Sequence, residues 1–392
     1  MKDTSRHRIS SIDMLRGVVM VIMALDHVRD YFHYDAFFYD PTDLSKTNTW
    51  LFFTRFITHF CAPVFVFLAG TSAFFVVRRR SKRSLSTWLI KRGLWLILVE
   101  ITIMKVAWSF SLDYSIIILQ VIWVLGVGMI CLAGFIHLPG KWVIVLCLAG
   151  IAGHNLLDGY TPSGEIASGL WTVFHVQAFV DPGQLPFFIA YPILPWVFVM
   201  PLGYYFGEWY RPEVAPGLRI RRLFQLGGLL TLLFFLLRAV DLYGDPNAWS
   251  TENSLEFTIL SFFNLTKYPP SLLYLLITLG PSMLFLAAAE KFSGRLGGQL
   301  VVIGRVPMFF YIVHVYVIHL LALLAAVYSG YAPSDMVIDF WINYQTELQG
   351  YGYGLGVVYL IWLLLVLGLY PLCYHYNLFK SSHRQYWWLS YL

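Results

Sequence analysis

The residues best suited to chemistry in this 392-residue chain lie near its start. Arg16, Met20, Met23 and His27 recur at spacings of i+4, i+3 and i+4. At 100° per residue, the step from Arg16 to His27 returns to within about 20° of the same helix face. One helix thus presents a guanidinium and an imidazole on a single stripe, separated by about 16 Å along the axis. Asp13, Asp26 and Asp30 accompany them, and Arg55, His59 and Pro63 repeat the pattern at i, i+4 and i+8 on a second apolar run. A carboxylate beside an imidazole fixes its tautomer and stabilises the imidazolium, which general-base catalysis requires. His27, Asp26, Asp30 and His59 are therefore the catalytic candidates. The competing interpretation is structural: Arg16 snorkels to an interface and His27 caps the far end of its helix.

Other polar residues carry weaker signals. Glu100 and Lys105 share one apolar run, where pairing with each other or with the bundle accounts for them. His314 and His319 are five apart, so they point to different helix faces, suit a metal poorly and are expected to be core histidines. Lys267-Tyr268-Pro269-Pro270-Ser271 is expected to open a helix, with Lys267 available to an anion or to water. Gly126, Gly128, Gly203 and Gly207 are expected at contacts between helices. The four cysteines, Cys61, Cys131, Cys147 and Cys373, lie in or beside apolar runs without paired spacing, as small buried residues do. No metal site is expected.

The elements that must hold these residues follow from composition. The chain is 58% hydrophobic and 18% aromatic but only 12% charged, with mean hydropathy +0.65. A soluble domain carries about 25% charge, so this surplus of apolar surface excludes a water-soluble enzyme. At about 20 apolar residues per crossing, the sequence predicts an all-α polytopic transmembrane bundle of about ten spans. These are roughly 12–31, 50–77, 87–108, 114–136, 141–158, 186–207, 219–241, 271–290, 304–328 and 354–379. Most of the 27 Lys and Arg residues gather on one side, including Arg78–Arg80, Lys82, Arg83, Lys91, Arg92 and Arg305. The opposite loops are acidic, with Asp35, Asp40, Asp158 and Asp245 among them. The positive-inside rule then places both termini in the cytoplasm. The net charge of +5 sums a basic inner face and an acidic outer one, so no nucleic-acid partner is implied. Lys2–Arg8 followed by Val18–Leu25 has the look of a signal peptide, but no cleavage-like site follows, and the segment is expected to be a retained first helix. Residues 1–392 are expected to form a single domain. The long outer loops at about 32–49 and 159–185, the second with His175, are expected to be functional.

Arg8-Ile9-Ser10-Ser11-Ile12-Asp13-Met14-Leu15-Arg16-Gly17, followed by the ten-residue gap to His27, resembles the transmembrane acyltransferase superfamily. Within it the chain is most similar to bacterial relatives of heparan-α-glucosaminide N-acetyltransferase. Pro63–Ser72, Lys267–Leu272 and Gly304–Tyr311 resemble further segments of that branch. The resemblance implies acyl transfer, usually of acetyl from acetyl-CoA as co-substrate, to an acceptor across the membrane. A sugar or glycan hydroxyl or amine is the implied acceptor, and a bacterial inner membrane the implied location. The CoA phosphates would lie among Arg16, Arg78–Arg80, Lys91, Arg92 and Arg305. The base would be His27, oriented by Asp26 or Asp30, with His33 in the following loop and His59 as alternatives. Tyr31 or His59 would serve as oxyanion donor. Membrane lipids and the CoA thioester are the expected partners, and a homodimer is compatible with the chain. A ten-span transporter or flippase without acyl chemistry is the rival class.

Overall fold

The computed structural model describes residues 9–77, 81–181, 186–292, 294–383 and 385–390. Lys2, Arg6, Arg8, Arg78–Arg80 and Arg384, counted above among the basic residues, lie outside the described residues. The helices are α1 (Ser10–Phe32), α2 (Thr49–Thr58), α3 (Cys61–Val77), α4 (Lys82–Val99), α5 (Lys105–Ser109), α6 (Val121–Phe135) and α7 (Gly140–Gly153). They continue with α8 (Glu165–His175), α9 (Trp196–Phe206), α10 (Pro216–Val240), α11 (Leu255–Phe263), α12 (Leu272–Ala289), α13 (Arg295–Arg305), α14 (Pro307–Tyr328) and α15 (Leu355–Ser382).

Six helical stretches are long and apolar enough to cross a bilayer: Thr49–Val76, Gly140–Leu157, Pro216–Val240, Leu272–Ala289, Pro307–Tyr328 and Leu355–Ser382. Exposed leucines such as Leu229, Leu232, Leu236, Leu360, Leu364 and Leu367 on α10 and α15 mark surface suited to lipid. The protein is a helical membrane bundle, as its composition requires. Several expected spans take a different form. The run 114–136 begins in a strand, β1 (Ile117–Leu119), and is helical only as α6. The run 186–207 likewise opens with a strand and ends in the 11-residue α9. With β2 (Ala178–Val180) and β3 (Phe187–Ile189), β1 forms a three-stranded sheet in the order β1-β3-β2. Ile117 pairs with Phe187 in parallel, and Ala178 with Ile189 antiparallel. Short apolar strands and pieces of buried helix look alike in sequence, which is why these runs read as continuous spans.

The run 50–77 also divides, and proline explains where. Pro63 cannot donate to the carbonyl four residues earlier, and its ring crowds that carbonyl. The residue affected is His59, at the junction of α2 and α3. Its freed carbonyl accepts the Tyr274 hydroxyl of α12 at 2.8 Å. Glycines set the closest helix crossings. A Cβ on Gly304 would collide with the Asp13 carbonyl oxygen, and one on Gly17 with the Leu300 carbonyl oxygen, so α1 and α13 touch backbone to backbone. Gly70 and Gly203 do the same between α3 and α9, and Gly93 and Gly126 between α4 and α6. Gly128 and Gly207 abut the Met200 and Phe74 side chains, so all four glycines expected at contacts are found there. Cys61, Cys147 and Cys373 are buried as expected, and Cys131 is partly so.

The α1–α13 crossing can be tested. Gly304→Ala should lower stability by about 1–3 kcal/mol or more, because the added methyl meets backbone rather than a movable side chain. Gly298→Ala, on the same helix but facing open space, should leave stability unchanged or raise it. Thermal unfolding of both variants in detergent checks this; equal melting temperatures would mean that the two helices can separate freely.

Candidate functional site

The C-terminal half of α1 meets α2, α5 and α14 around a group of buried charges. Asp26 lies 2.7 Å from Arg29 Nη1 and 2.6 Å from Arg55 Nη1 of α2. Arg29 also pairs with Asp30 at 2.5 Å. Arg29 is 2% exposed and Asp26 8%. Buried charges are tolerated only when paired, and here two arginines face two carboxylates. Asp26 and Asp30 are thus engaged with arginines, and His27 finds a different partner. His27 Nδ1 is 2.7 Å from His314 Nε2 on α14, across 287 residues of sequence. His314 Nδ1 in turn lies 2.8 Å from the Phe310 carbonyl. Trp108 stands edge-on to the His27 ring, 4.7 Å between centroids, and Tyr311 is 6.4 Å away.

His27 and this charged group line a cavity of about 170 Å³. Its walls come from α1, α2, α5, α6 and α14, from the loop carrying Asp40, and from the segment Ile338–Asn343. A second cavity of about 400 Å³ lies beside it, lined by His59, Gln177, Asn247, Asn264 and Thr266 among others. Asp40, Arg55, Lys267 and Tyr268 border both, so they form the partition between the two. Burial works to raise the Tyr268 phenol; Lys267 and Arg55 outweigh it and hold the group below its usual range. Both long loops singled out by length contribute: Asp40 from the first and Gln177 from the second.

The three histidines considered as base are separated. His27 lines the first cavity and His59 the second, where its Nδ1 is buried without a hydrogen-bond partner. His33 is buried after α1, and its Nδ1 accepts the Asp35 amide at 3.2 Å; it lines neither cavity. Tyr31 donates to the Trp108 carbonyl at 2.6 Å, so its hydroxyl proton is already committed. Arg29 Nε, by contrast, is buried without an acceptor, and the Trp108 indole N–H faces the Tyr311 hydroxyl. Glu100 sits in a π-turn over Glu100–Met104 and accepts the Trp123 amide at 2.8 Å, capping the start of α6. Lys105 instead donates to the Ser111 carbonyl at 3.0 Å. His319 holds the α5 and Met336 carbonyls together, a core role as expected. His175 pairs with Asp158 at 3.0 Å, away from both cavities.

At the N-terminal end of α1, Arg16 donates to Asp13 at 3.1 Å, to the Gly304 carbonyl at 3.0 Å and to Ser72 at 2.9 Å. Arg305 approaches the same Asp13 at 3.4 Å. Arg16 therefore joins α1 to α13 and α3. Lys91 is exposed on α4, and Arg92 lies over the Trp88 ring at 5.5 Å. Neither cavity is lined by Arg16, Lys91, Arg92 or Arg305. Sequence reasoning paired His27 with nearby carboxylates and assigned His314 to the core; nothing local in the sequence marks the pair, because the two lie on distant helices.

A histidine and a group of paired buried charges thus line a cavity inside a helical membrane bundle. A family model described as heparan-alpha-glucosaminide N-acetyltransferase, catalytic, matches residues 8–240. The match spans more than half of the chain and includes Arg16, Asp26, His27, Asp30, Arg55 and His59, so the chain belongs to this family of membrane acetyltransferases. A comparison with curated proteins finds no match.

The charge group yields a direct expectation. Asp26→Ala leaves Arg29 and Arg55 facing each other without their shared carboxylate, and breaking such a buried pair costs about 3–5 kcal/mol. Unfolding in detergent should show that loss in the absence of any substrate. An Asp26→Ala protein of wild-type stability would show that the carboxylate is dispensable to the fold.

Proposed function

We propose that this protein transfers an acetyl group from cytoplasmic acetyl-CoA to a hydroxyl or amine of an extracytoplasmic acceptor, with His27 as general base. The observation that carries this reading is the placement of His27: of the three candidate histidines, it alone shares a cavity with Arg29, Trp108 and the Asp26–Arg55 pair. His27 would take the proton of the acceptor as its oxygen or nitrogen attacks the thioester carbonyl. The Trp108 indole N–H and the unpartnered Arg29 Nε are suited to the oxyanion, in place of Tyr31. Amides and hydroxyls around the second cavity suit a polyhydroxylated acceptor such as a sugar, entering past Lys267 and Tyr268.

The basic residues support an inner face near the N-terminus. Lys82 and Arg83 open α4 and Lys91 and Arg92 lie midway along it, Arg219 and Arg222 lie in the first turns of α10, and Lys380 is near the end of α15. We take both termini as cytoplasmic, the span count as about ten, and a bacterial inner membrane as the location. Lys91, Arg92 and Arg305 would meet the CoA phosphates. Arg16 is held by three hydrogen bonds, so its contribution is to fix α1 and to add charge near that face.

His27→Ala should retain acetyl-CoA binding and lose at least about 10²-fold in transfer rate, the usual scale for a general base. The Lys91→Gln, Arg92→Gln double variant should raise the KM for acetyl-CoA several-fold and spare kcat, and the wild-type KM should rise with salt while the gap between the two proteins narrows. Radiolabelled acetyl-CoA with an acceptor extract measures both. Undiminished transfer by a folded His27→Ala protein would sink the assignment, whereas an equal loss in His59→Ala would move the base to the second cavity.

A further inference from the structure

We propose that His314 is a positioning residue of the transfer reaction, holding His27 in the tautomer whose Nε2 carries the lone pair. The proposal rests on the reading of His27 as base. Two contacts lead to it. His314 Nδ1 lies 2.8 Å from the Phe310 carbonyl. A carbonyl only accepts, so Nδ1 carries the ring proton and a neutral His314 has a bare Nε2. That Nε2 is 2.7 Å from His27 Nδ1, which must then be the donor. The remaining nitrogen of His27, Nε2, is the basic one.

Ring geometry agrees with this direction. The two imidazoles are within 17° of parallel, with centroids 4.9 Å apart. Combined with an N···N distance of 2.7 Å, this sets them edge to edge near a common plane rather than face to face. In-plane N–H and lone pair then point along the N···N line. His314 is fully buried. Its ring neighbours are His27 on α1 and Phe310 and Tyr311 on its own helix, and no carboxylate contacts it among the described residues. A charged imidazolium there would lack a counter-ion, so the neutral form is the one the site holds.

During transfer, the acceptor proton moves to His27 Nε2 as the new bond forms from acceptor oxygen or nitrogen to the acyl carbon. The resulting imidazolium keeps its Nδ1–H on His314. When the carbon–sulfur bond breaks, the Nε2 proton passes to the thiolate, giving free CoA thiol and neutral His27. If His314 were absent, His27 would exchange tautomers and turn in its pocket. A share of its population would then present N–H where a lone pair is needed.

The test uses the full-length protein in detergent with ¹⁵N-labelled histidine, the His27 signals being assigned by their loss in His27→Ala. The expected spectrum of the wild type shows a protonated Nδ1 and a bare Nε2 on His27. His314→Leu should average the two and lower kcat at least about tenfold, leaving the KM for acetyl-CoA unchanged, with D-glucosamine as the acceptor probe. His314→Gln, whose amide oxygen can accept where Nε2 stood, should restore both the tautomer and most of the rate. A wild-type spectrum with the proton on Nε2 of His27, or a His314→Leu protein with an unaltered spectrum, overturns the proposal. The expected spectra without turnover of acetyl-CoA would uphold the tautomer assignment and count against the acetyltransferase reading instead.

Discussion

Asp26 fixes the rotation of α1, and the rest of the site depends on that rotation. Its carboxylate is held between Arg29 of the same helix and Arg55 of α2, both within 2.7 Å. Side chains one residue apart lie about 100° apart around a helix. With Asp26 turned to α2, His27 is directed to α5 and α14, where Trp108 and His314 meet it. At the other end Arg16, nearly on the His27 stripe, is fixed by Asp13, Ser72 and the Gly304 carbonyl. The glycine contacts with α13 prevent the helix from rolling or withdrawing. In a low-dielectric interior, each ionisable group must find a partner or impose a large penalty. The charges on α1 satisfy that demand by gripping three different helices, and His27 is placed as a result.

This explains which parts of the site were legible in the sequence. The stripe from Arg16 to His27 was visible because helical periodicity is local: 11 residues of one continuous helix require no knowledge of neighbours. Glycine contacts were visible because small residues in apolar runs have few other uses. The partners of Asp26 and His27 were not. Arg55 and His314 approach from elements 29 and 287 residues away, and no spacing rule links them. The sheet was hidden for another reason. Its strands are three residues long, too short for an alternation to register against the apolar runs they interrupt. The segment Ile338–Asn343, which forms part of the cavity wall, has no periodicity at all and offered no signal.

A histidine, rather than a carboxylate, next to His27 would change the electrostatics of the proposed proton transfer. An aspartate at the position of His314 would stabilise the imidazolium strongly, but it would also be a further anion in a bundle interior, needing its own compensating cation. Asp26 shows what that compensation involves: one buried carboxylate there occupies two arginines. A neutral imidazole provides the directional benefit, a fixed tautomer and a fixed ring plane, without adding a net charge. It stabilises the imidazolium less, so the proton on His27 is held less tightly. For the thioester donor proposed above, this would be a suitable balance. The leaving thiolate is a weaker base than an alkoxide or an amide anion, and a loosely held proton is sufficient to neutralise it. The same weak hold would return His27 to its neutral state once the thiolate takes the proton.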